Sequence, residues 1–243
     1  MNLVIDIGNT QTKLAIFDGR EMIHNQAWKE ISPSALEPLL NRYKIRNSIL
    51  SDVRHNSTAF NDFLSGMTDL FIELNENTPL PFEILYSTKD TLGKDRVAAA
   101  AGAGDIFPGE NVLIIDMGTA ITIDILNSRN QYLGGNISPG LHMRFQALHQ
   151  NTAGLPLLQP EATEELLGRT TAEAVRAGVI NGILFEISEY INQLSLRYTN
   201  LKVIITGGDA NFFVKKLKSH IFVDSNLIFK GLNRILNYNE QLR

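Results

Sequence analysis

Two stretches of this chain are written in the same pattern. Leu3-Val4-Ile5-Asp6-Ile7 is a β-branched apolar run that breaks at Gly8-Asn9-Thr10 and resumes as Thr12-Lys13-Leu14-Ala15-Ile16-Phe17. Val112-Leu113-Ile114-Ile115-Asp116-Met117 breaks at Gly118-Thr119 and resumes as Ala120-Ile121-Thr122-Ile123-Asp124-Ile125-Leu126. Each reads as strand, Asp-x-Gly turn, strand, and the second copy lies roughly half a chain length behind the first. One such turn is unremarkable, because Asp, Gly, Asn and Thr are ordinary turn residues. Two in matching context point to a duplicated domain, so the chain is expected to divide into 1–110 and 111–243. An aspartate closing a buried strand is costly unless a metal, a water or a donor compensates it, which singles out Asp6. In the first turn Gly8 permits an unusual backbone angle, and Asn9, Thr10, Thr12 and Lys13 offer donors that suit a phosphate.

Around the repeats the chain alternates strands and helices, the pattern of an α/β fold. Asp18-Gly19 is a hairpin signal that makes 2–7, 11–17 and 21–28 three antiparallel strands. Ser32-Pro33 opens a helix running to about Tyr43. Ser48–Val53 reads as a strand, 56–67 as a helix, Leu70–Leu74 and Phe82–Tyr86 as strands, and none of this middle part carries obvious chemistry. In the second half a turn at Asn127–Asn130 leads into a strand at 131–137, closed by the glycine-rich Gly134-Gly135-Asn136-Ile137-Ser138-Pro139-Gly140. A helix over 141–150 carries His142 and His149, which without a third ligand are read as solvated or core residues. Thr170 with Glu173 fits a capping box at the start of the longest helix, leaving Thr171 on its first turn. That helix repeats Val175, Val179, Ile183, Ile187 and Ile191 at four-residue spacing, a stripe that suits a core more than an interface. Val203–Thr206 is a strand entering Gly207-Gly208, where a flat ring could lie against bare backbone. A short strand and a closing helix over 222–239 end the chain.

The stretch Gly93-Lys94-Asp95-Arg96 runs directly into Val97-Ala98-Ala99-Ala100-Ala101-Gly102-Ala103, an alanine-rich run suited to a closely packed helix. Asp95 and Arg96 are thereby expected at a helix N-terminus, where unpaired amides attract anions. Taken alone, Asp95 reads more readily as a helix cap with Arg96 as its surface partner, a reading that the other motifs of the chain reverse. Tyr86 ends the preceding strand and is expected near this loop. Composition excludes other chemistries. There is no cysteine, so disulfides, thiolate metal sites and cysteine nucleophiles are ruled out. A formal net charge of −4 gives no reason to expect nucleic acid or an anionic membrane as partner. The N-terminal residues meet an acid too early for a signal peptide, and no apolar run approaches membrane-spanning length, so a cytoplasmic protein is expected.

Asp6-x-Gly-Asn-Thr-x-x-Lys13, Gly93-x-Asp95-Arg96, Asp116-x-Gly-Thr-Ala and Gly134-Gly-x-Ile-x-Pro-Gly140 occur in the order and approximate spacing of the type III pantothenate kinase family, and Thr206-Gly207-Gly208 resembles its adenosine turn. The resemblance covers nearly the whole chain. It implies two ribonuclease-H-like domains with mixed sheets flanked by helices, an actin-like ATPase duplication within the acetate and sugar kinase, Hsp70 and actin superfamily, with ATP in the cleft between them. It implies pantothenate and ATP as substrates, a homodimer, Mg²⁺, and a monovalent cation, K⁺ or NH₄⁺. By motif, Asp6, Ile7, Gly8, Asn9, Thr10, Gln11, Thr12, Lys13 and Thr119 resemble the ATP contacts. Tyr86, Gly93, Lys94, Asp95, Arg96 and Thr171 resemble the pantothenate pocket, with Asp95 as proton acceptor. Asp116 resembles the monovalent-cation ligand, and Asp6 a ligand of Mg²⁺ through water. The implied reaction is phosphorylation of pantothenate to 4'-phosphopantothenate, the first step of coenzyme A biosynthesis. A kinase for another small alcohol, or a catalytically silent ATP-binding accessory protein of the same fold, are the alternatives.

Overall fold

Burial of β-branched runs on both faces fixes the centre of each sheet. In a computed structural model that describes residues 1–8, 10–29, 31–54, 58–217 and 220–243, the first sheet forms from β1 (Asn2–Ile7), β2 (Thr12–Asp18), β3 (Glu21–Trp28), β4 (Asn47–Asp52) and β5 (Leu70–Glu73). Its order is β3-β2-β1-β4-β5. β1 pairs antiparallel with β2 and parallel with β4, so Asp6 lies opposite Lys13 on one side and Ser51 on the other. Gly19 takes φ +58° in the β2–β3 turn, a left-handed conformation that glycine adopts without penalty. Helices α1 (Glu37–Tyr43), entered through a 3₁₀ turn at Pro33–Leu36, and α2 (Thr58–Met67) supply Leu36, Leu40, Phe60 and Leu64 to a core with Leu3, Ile5, Leu14, Ile16 and Leu50. The expected start of α2 at 56 lies outside the described residues.

β6 (Glu83–Ile84) is shorter than the expected 82–86, because only Gln131 and Tyr132 lie opposite it. It leads to α3 (Lys94–Ile106), in which Arg96 to Ala103 are all buried. A helix buried on every side cannot be amphipathic, and the run of alanines and Gly102 is what allows neighbours to close in around it.

The second sheet repeats the first plan. It contains β7 (Val112–Met117), β8 (Ala120–Leu126), β9 (Gln131–Pro139), β10 (Lys202–Thr206) and β11 (Ile221–Val223) with β6 at its edge, ordered β11-β10-β7-β8-β9-β6. β7 stands where β1 stands: antiparallel to β8, parallel to β10, with β11 parallel beyond. Helices α4 (Leu141–Gln150), α5 (Thr171–Arg197) and the short α6 (Ala210–Phe213) accompany it. Val175, Val179, Ile183, Ile187 and Ile191 of α5 are buried with Leu113, Ile115, Ile123, Leu141, Phe145 and Ile205, so the four-residue stripe is core. The Thr170 hydroxyl accepts from the Glu173 amide while the Glu173 carboxylate accepts from the Thr170 amide, and this capping box starts the helix.

The closing helix α7 (Leu227–Gln241) completes the first unit. By contact that unit is Met1–Pro108 with Asn130–Tyr132 and Asn226–Arg243, and the second is Gly109–Arg129 with Leu133–Ser225. α7 packs on α3 through Gly102 and Gly231, where a Cβ at residue 231 would stand 1.7 Å from the Ala98 carbonyl oxygen. It is also held by amides: Asn2 donates to Asn233 and Asn237, Asn47 donates to Asn2 and Glu240, and Asn233 donates to the Gly19 carbonyl. Buried amides that satisfy one another allow only one registration of α7 on β1 and β4.

Candidate active site

In the first unit the chemistry collects at the carboxyl ends of β1 and β4 and at the start of α3. Asp6 is the next-to-last residue of β1. Its pKa is pushed up to about 6, chiefly by burial, with the charges of Asp95 and Asp52 adding and Ser51 and Lys13 opposing. Three carboxylates therefore press on one place, with Lys13 the opposing cation. The Ser51 hydroxyl is fully buried and lacks a well-formed hydrogen bond, yet it leans on the Asp6 carboxyl and lowers its proton affinity. The turn after β1 is closed by the Gly8 amide on the Gln11 carbonyl at 3.0 Å. Thr10, Gln11 and Lys13 are exposed there, whereas Ile7 and Thr12 are buried. Asn9, also expected in this turn, lies outside the described residues.

At α3, Gly93 occupies the N-cap position and Lys94, Asp95 and Arg96 form the first turn. Asp95 Oδ1 accepts from the Arg96 amide at 2.8 Å, so its carboxylate covers one orphan donor of the helix. A carboxylate offers about four acceptor positions, so the capping role and a chemical role are compatible. Gly93 is needed here, because a Cβ on it would meet Asp95 Oδ1 at 2.5 Å. Arg96 is 5% exposed and not a surface partner. Its guanidinium lies over the Tyr86 ring at 5.7 Å and the Tyr132 ring at 5.9 Å, and the two rings meet edge to face. The Lys94 ammonium donates to the Asp52 carbonyl at 3.0 Å, which ties the start of α3 to the end of β4.

In the second unit Asp116 takes the place Asp6 holds in the first, paired with Thr122 on β8 and Thr206 on β10. Gly207, at φ +95°, packs so tightly that a Cβ would meet the Met117 carbonyl carbon at 2.4 Å and Asp116 Oδ1 at 2.5 Å. Gly208 faces open space instead, so of the two glycines it alone leaves room beside bare backbone. Gly140 closes on the other side, its amide donating to the exposed Thr119 carbonyl at 3.2 Å. Asp209 has its pKa raised by burial, with His142, 4.0 Å away, partly opposing. His149 bonds the Leu155 carbonyl at 2.8 Å. Thr171, exposed on the first turn of α5, lines a groove of about 740 Å³ with Pro139, Leu148, Leu155 and Val175. Among the described residues no group of three or more acidic or histidine side chains is arranged to hold a metal unaided.

Sequence reasoning passed over Ser51 and Tyr132. Ser51 sits in an otherwise apolar strand, and Tyr132 follows a hairpin turn far along the chain from Arg96. Neither belongs to a motif; pairing of β1 with β4 and of β6 with β9 brings them in.

A family model described as type III pantothenate kinase matches residues 2–193. A type III pantothenate kinase from Bacteroides fragilis is 46% identical over 239 residues, covering 98% of each chain. One from Phocaeicola vulgatus is 45% identical over 242 residues, covering 100% of each. Among solved structures, a conserved Campylobacter jejuni protein described as a Baf family transcriptional activator superposes with a TM-score of 0.65 at 24% identity, covering 98% of this chain and 99% of that one. An inorganic polyphosphate/ATP-glucomannokinase from Arthrobacter gives 0.51 at 14% identity, covering 99% and 98%. At those identities the structural likeness speaks for the fold alone, an actin-like ATPase duplication.

Proposed function

This chain belongs to the type III pantothenate kinase family, and on that premise we propose how its residues carry out the ATP-dependent phosphorylation of pantothenate to 4'-phosphopantothenate, the first step of coenzyme A biosynthesis. The observation that carries the reading is geometric. Lys94, beside Asp95 on the first turn of α3, donates to the Asp52 carbonyl at 3.0 Å, and Ser51 and Asp52 of β4 lie opposite Asp6 and Ile7 of β1, so acceptor and nucleotide chemistry share one locality.

Phosphoryl transfer asks the protein for positioning and charge neutralisation more than for covalent work. Asp95 orients the pantothenate hydroxyl and takes its proton as the new O–P bond forms and ADP leaves. Arg96, braced by Tyr86 and Tyr132, holds the pantothenate carboxylate, and Gly93, Lys94 and Thr171 complete the acceptor contacts. Asp6, Ile7, Gly8, Asn9, Thr10, Gln11, Thr12, Lys13 and Thr119 carry the ATP contacts. The crowding of Asp6, Asp52 and Asp95 fits a divalent cation held through water and nucleotide oxygens. Mg²⁺, when bound, neutralises charge on the transferring phosphoryl group. Asp116, whose carboxylate oxygen lies beside Gly118 and Gly207, offers the hard oxygen that suits K⁺ or NH₄⁺. The exposed Phe185 and Leu196 on α5 and Ile137 on β9 support a homodimer. No described helix is long and apolar enough to cross a membrane, and the acidic balance favours neither nucleic acid nor membrane as partner, in keeping with a cytoplasmic enzyme.

The test is ADP release with pantothenate, Mg²⁺ and K⁺ against glucose, glycerol and acetate as acceptors. Turnover specific to pantothenate, and lost without K⁺ or NH₄⁺, is expected. Preference for another alcohol, or no ATP consumption with any, would refute the assignment. Asp116→Ala should blunt the K⁺ response while leaving pantothenate affinity intact.

A further inference from the structure

β4 ends beside the phosphate turn, and the three residues Asp52, Val53 and Arg54 tie that end to β1, to the turn and to α3. The Val53 amide donates to the Ile7 carbonyl at 3.1 Å, continuing the parallel pairing of β4 with β1 past its last paired residue. Asp52 Oδ1 accepts from the Arg54 amide at 2.7 Å, which bends the chain so that the next side chain turns back toward β1. Arg54 Nε then donates to the Gly8 carbonyl at 2.8 Å. Asp52 itself is 1% exposed, and its carbonyl takes the Lys94 ammonium. The segment is thus anchored from below by a buried carboxylate and from the side by α3.

A carbonyl in a phosphate-binding turn presents its negative end to an anion unless something draws it away. Arg54 draws away that of Gly8, and adds a positive charge within a few ångströms of the turn. The first effect is geometric, because a peptide held by its oxygen cannot rotate about its flanking bonds, and glycine at position 8 would otherwise be the loosest point of the turn. The second is electrostatic, because guanidinium charge is permanent and its planar fork holds direction as well as distance.

We propose that Arg54 is a positioning residue for ATP: by holding the Gly8 carbonyl it keeps the turn between β1 and β2 in its phosphate-accepting form. It acts through the turn and is not a catalytic residue. The inference rests on assigning residues 6–13 to the nucleotide, so its test reads nucleotide binding directly.

The experiment titrates a fluorescent ATP analogue with Mg²⁺, without pantothenate, into full-length wild type, Arg54→Ala and Arg54→Lys, and measures KM for ATP and for pantothenate with ADP release. Arg54→Ala should weaken nucleotide binding and raise the ATP KM by roughly tenfold or more, the loss expected for one charge-assisted hydrogen bond. Its pantothenate KM should stay within about twofold and its Tm within about 2 °C, since surface substitutions rarely do more. Arg54→Lys, which keeps a cationic donor, should recover most of the affinity. ATP affinity of Arg54→Ala within twofold of wild type would overturn the proposal. So would equal losses in both variants accompanied by a lowered Tm, the mark of a merely structural role. A wild type that binds ATP but leaves pantothenate unphosphorylated would refute the acceptor assignment, with the titration still deciding Arg54. A wild type that binds no ATP would overturn both.

Discussion

Gly231→Ala should both loosen the first unit and damage catalysis from a distance. A Cβ at 231 would stand 1.7 Å from the Ala98 carbonyl oxygen, 2.6 Å from its carbonyl carbon and 2.9 Å from the Gly102 amide nitrogen, all backbone. No side chain can rotate out of the way. Bringing 1.7 Å to an ordinary contact of 3.4 Å requires α3 and α7 to part by roughly 1.7 Å, or to slide by as much. A gap of about 1 Å already forfeits up to half of each dispersion contact. Overpacking of this kind costs about 3 kcal/mol. The better helix propensity of alanine returns about 1 kcal/mol. The net loss of about 2 kcal/mol should lower Tm by about 4–8 °C for a chain of this size. Because α3 carries Asp95 and Arg96, its displacement should also reduce kcat/KM for pantothenate by up to about 10²-fold. Thermal unfolding with Gly66→Ala as companion isolates the cause: residue 66 also lies in a helix, but its Cβ would meet nothing within 4 Å. That variant should be stabilised by up to about 1 kcal/mol. If Gly231→Ala melts at or above wild type, the closeness of α3 and α7 is not what the two glycines serve.

Asp95→Asn should lower turnover by about 10²–10⁴-fold with Tm within about 2 °C, since the amide oxygen can still accept from the Arg96 amide; turnover within a few-fold of wild type would reduce the residue to a cap. Asp6 binds its proton more tightly folded than unfolded, so it contributes stability below pH 3.8 that disappears as pH rises through about 6. With nucleotide and divalent metal removed, Asp6→Asn should therefore be more stable than wild type at pH 8 by about 1–3 kcal/mol, converge with it near pH 4, and be inactive; equal melting curves at pH 8 would contradict the burial argument. Tyr132→Leu removes a ring from Arg96 and should raise the pantothenate KM by roughly 3–30-fold, whereas Tyr132→Phe keeps the ring and should stay within about threefold; identical KM values for the two would remove the ring from the account.

Much of the fold is legible because its signals are local. β1 and β7 are apolar on both faces and end in Asp-x-Gly, so the duplicated strand, turn and strand follow from residue pattern alone, and the strand orders β3-β2-β1-β4-β5 and, up to the edge strand β6, β9-β8-β7-β10-β11 repeat accordingly. The α3 start was readable from Gly93 and the alanines behind it, and the α5 start from Thr170 and Glu173. Local chemistry suffices where a helix is capped by its own residues.

What pairing across long sequence separations brings together carried no such mark. Ser51 and Arg54 lie in a stretch with no motif, and they matter because β4 runs parallel to β1, an arrangement no short-range pattern encodes. Tyr132 reaches Arg96 only because β6 pairs with the first two residues of β9. α7 follows the second half in sequence yet packs in the first unit, where Gly102 and Gly231 admit it and the Asn2, Asn47 and Asn233 amides register it. The two glycines of the Gly207-Gly208 turn look alike in sequence, but tertiary contact fills the space beside Gly207 with the Asp116 carboxylate and leaves Gly208 open. A residue's own chemistry decides which element it joins and which donors it can offer. Its neighbours decide whether a carboxyl such as Asp6 is hydrated or crowded, and that is a property of the folded chain alone.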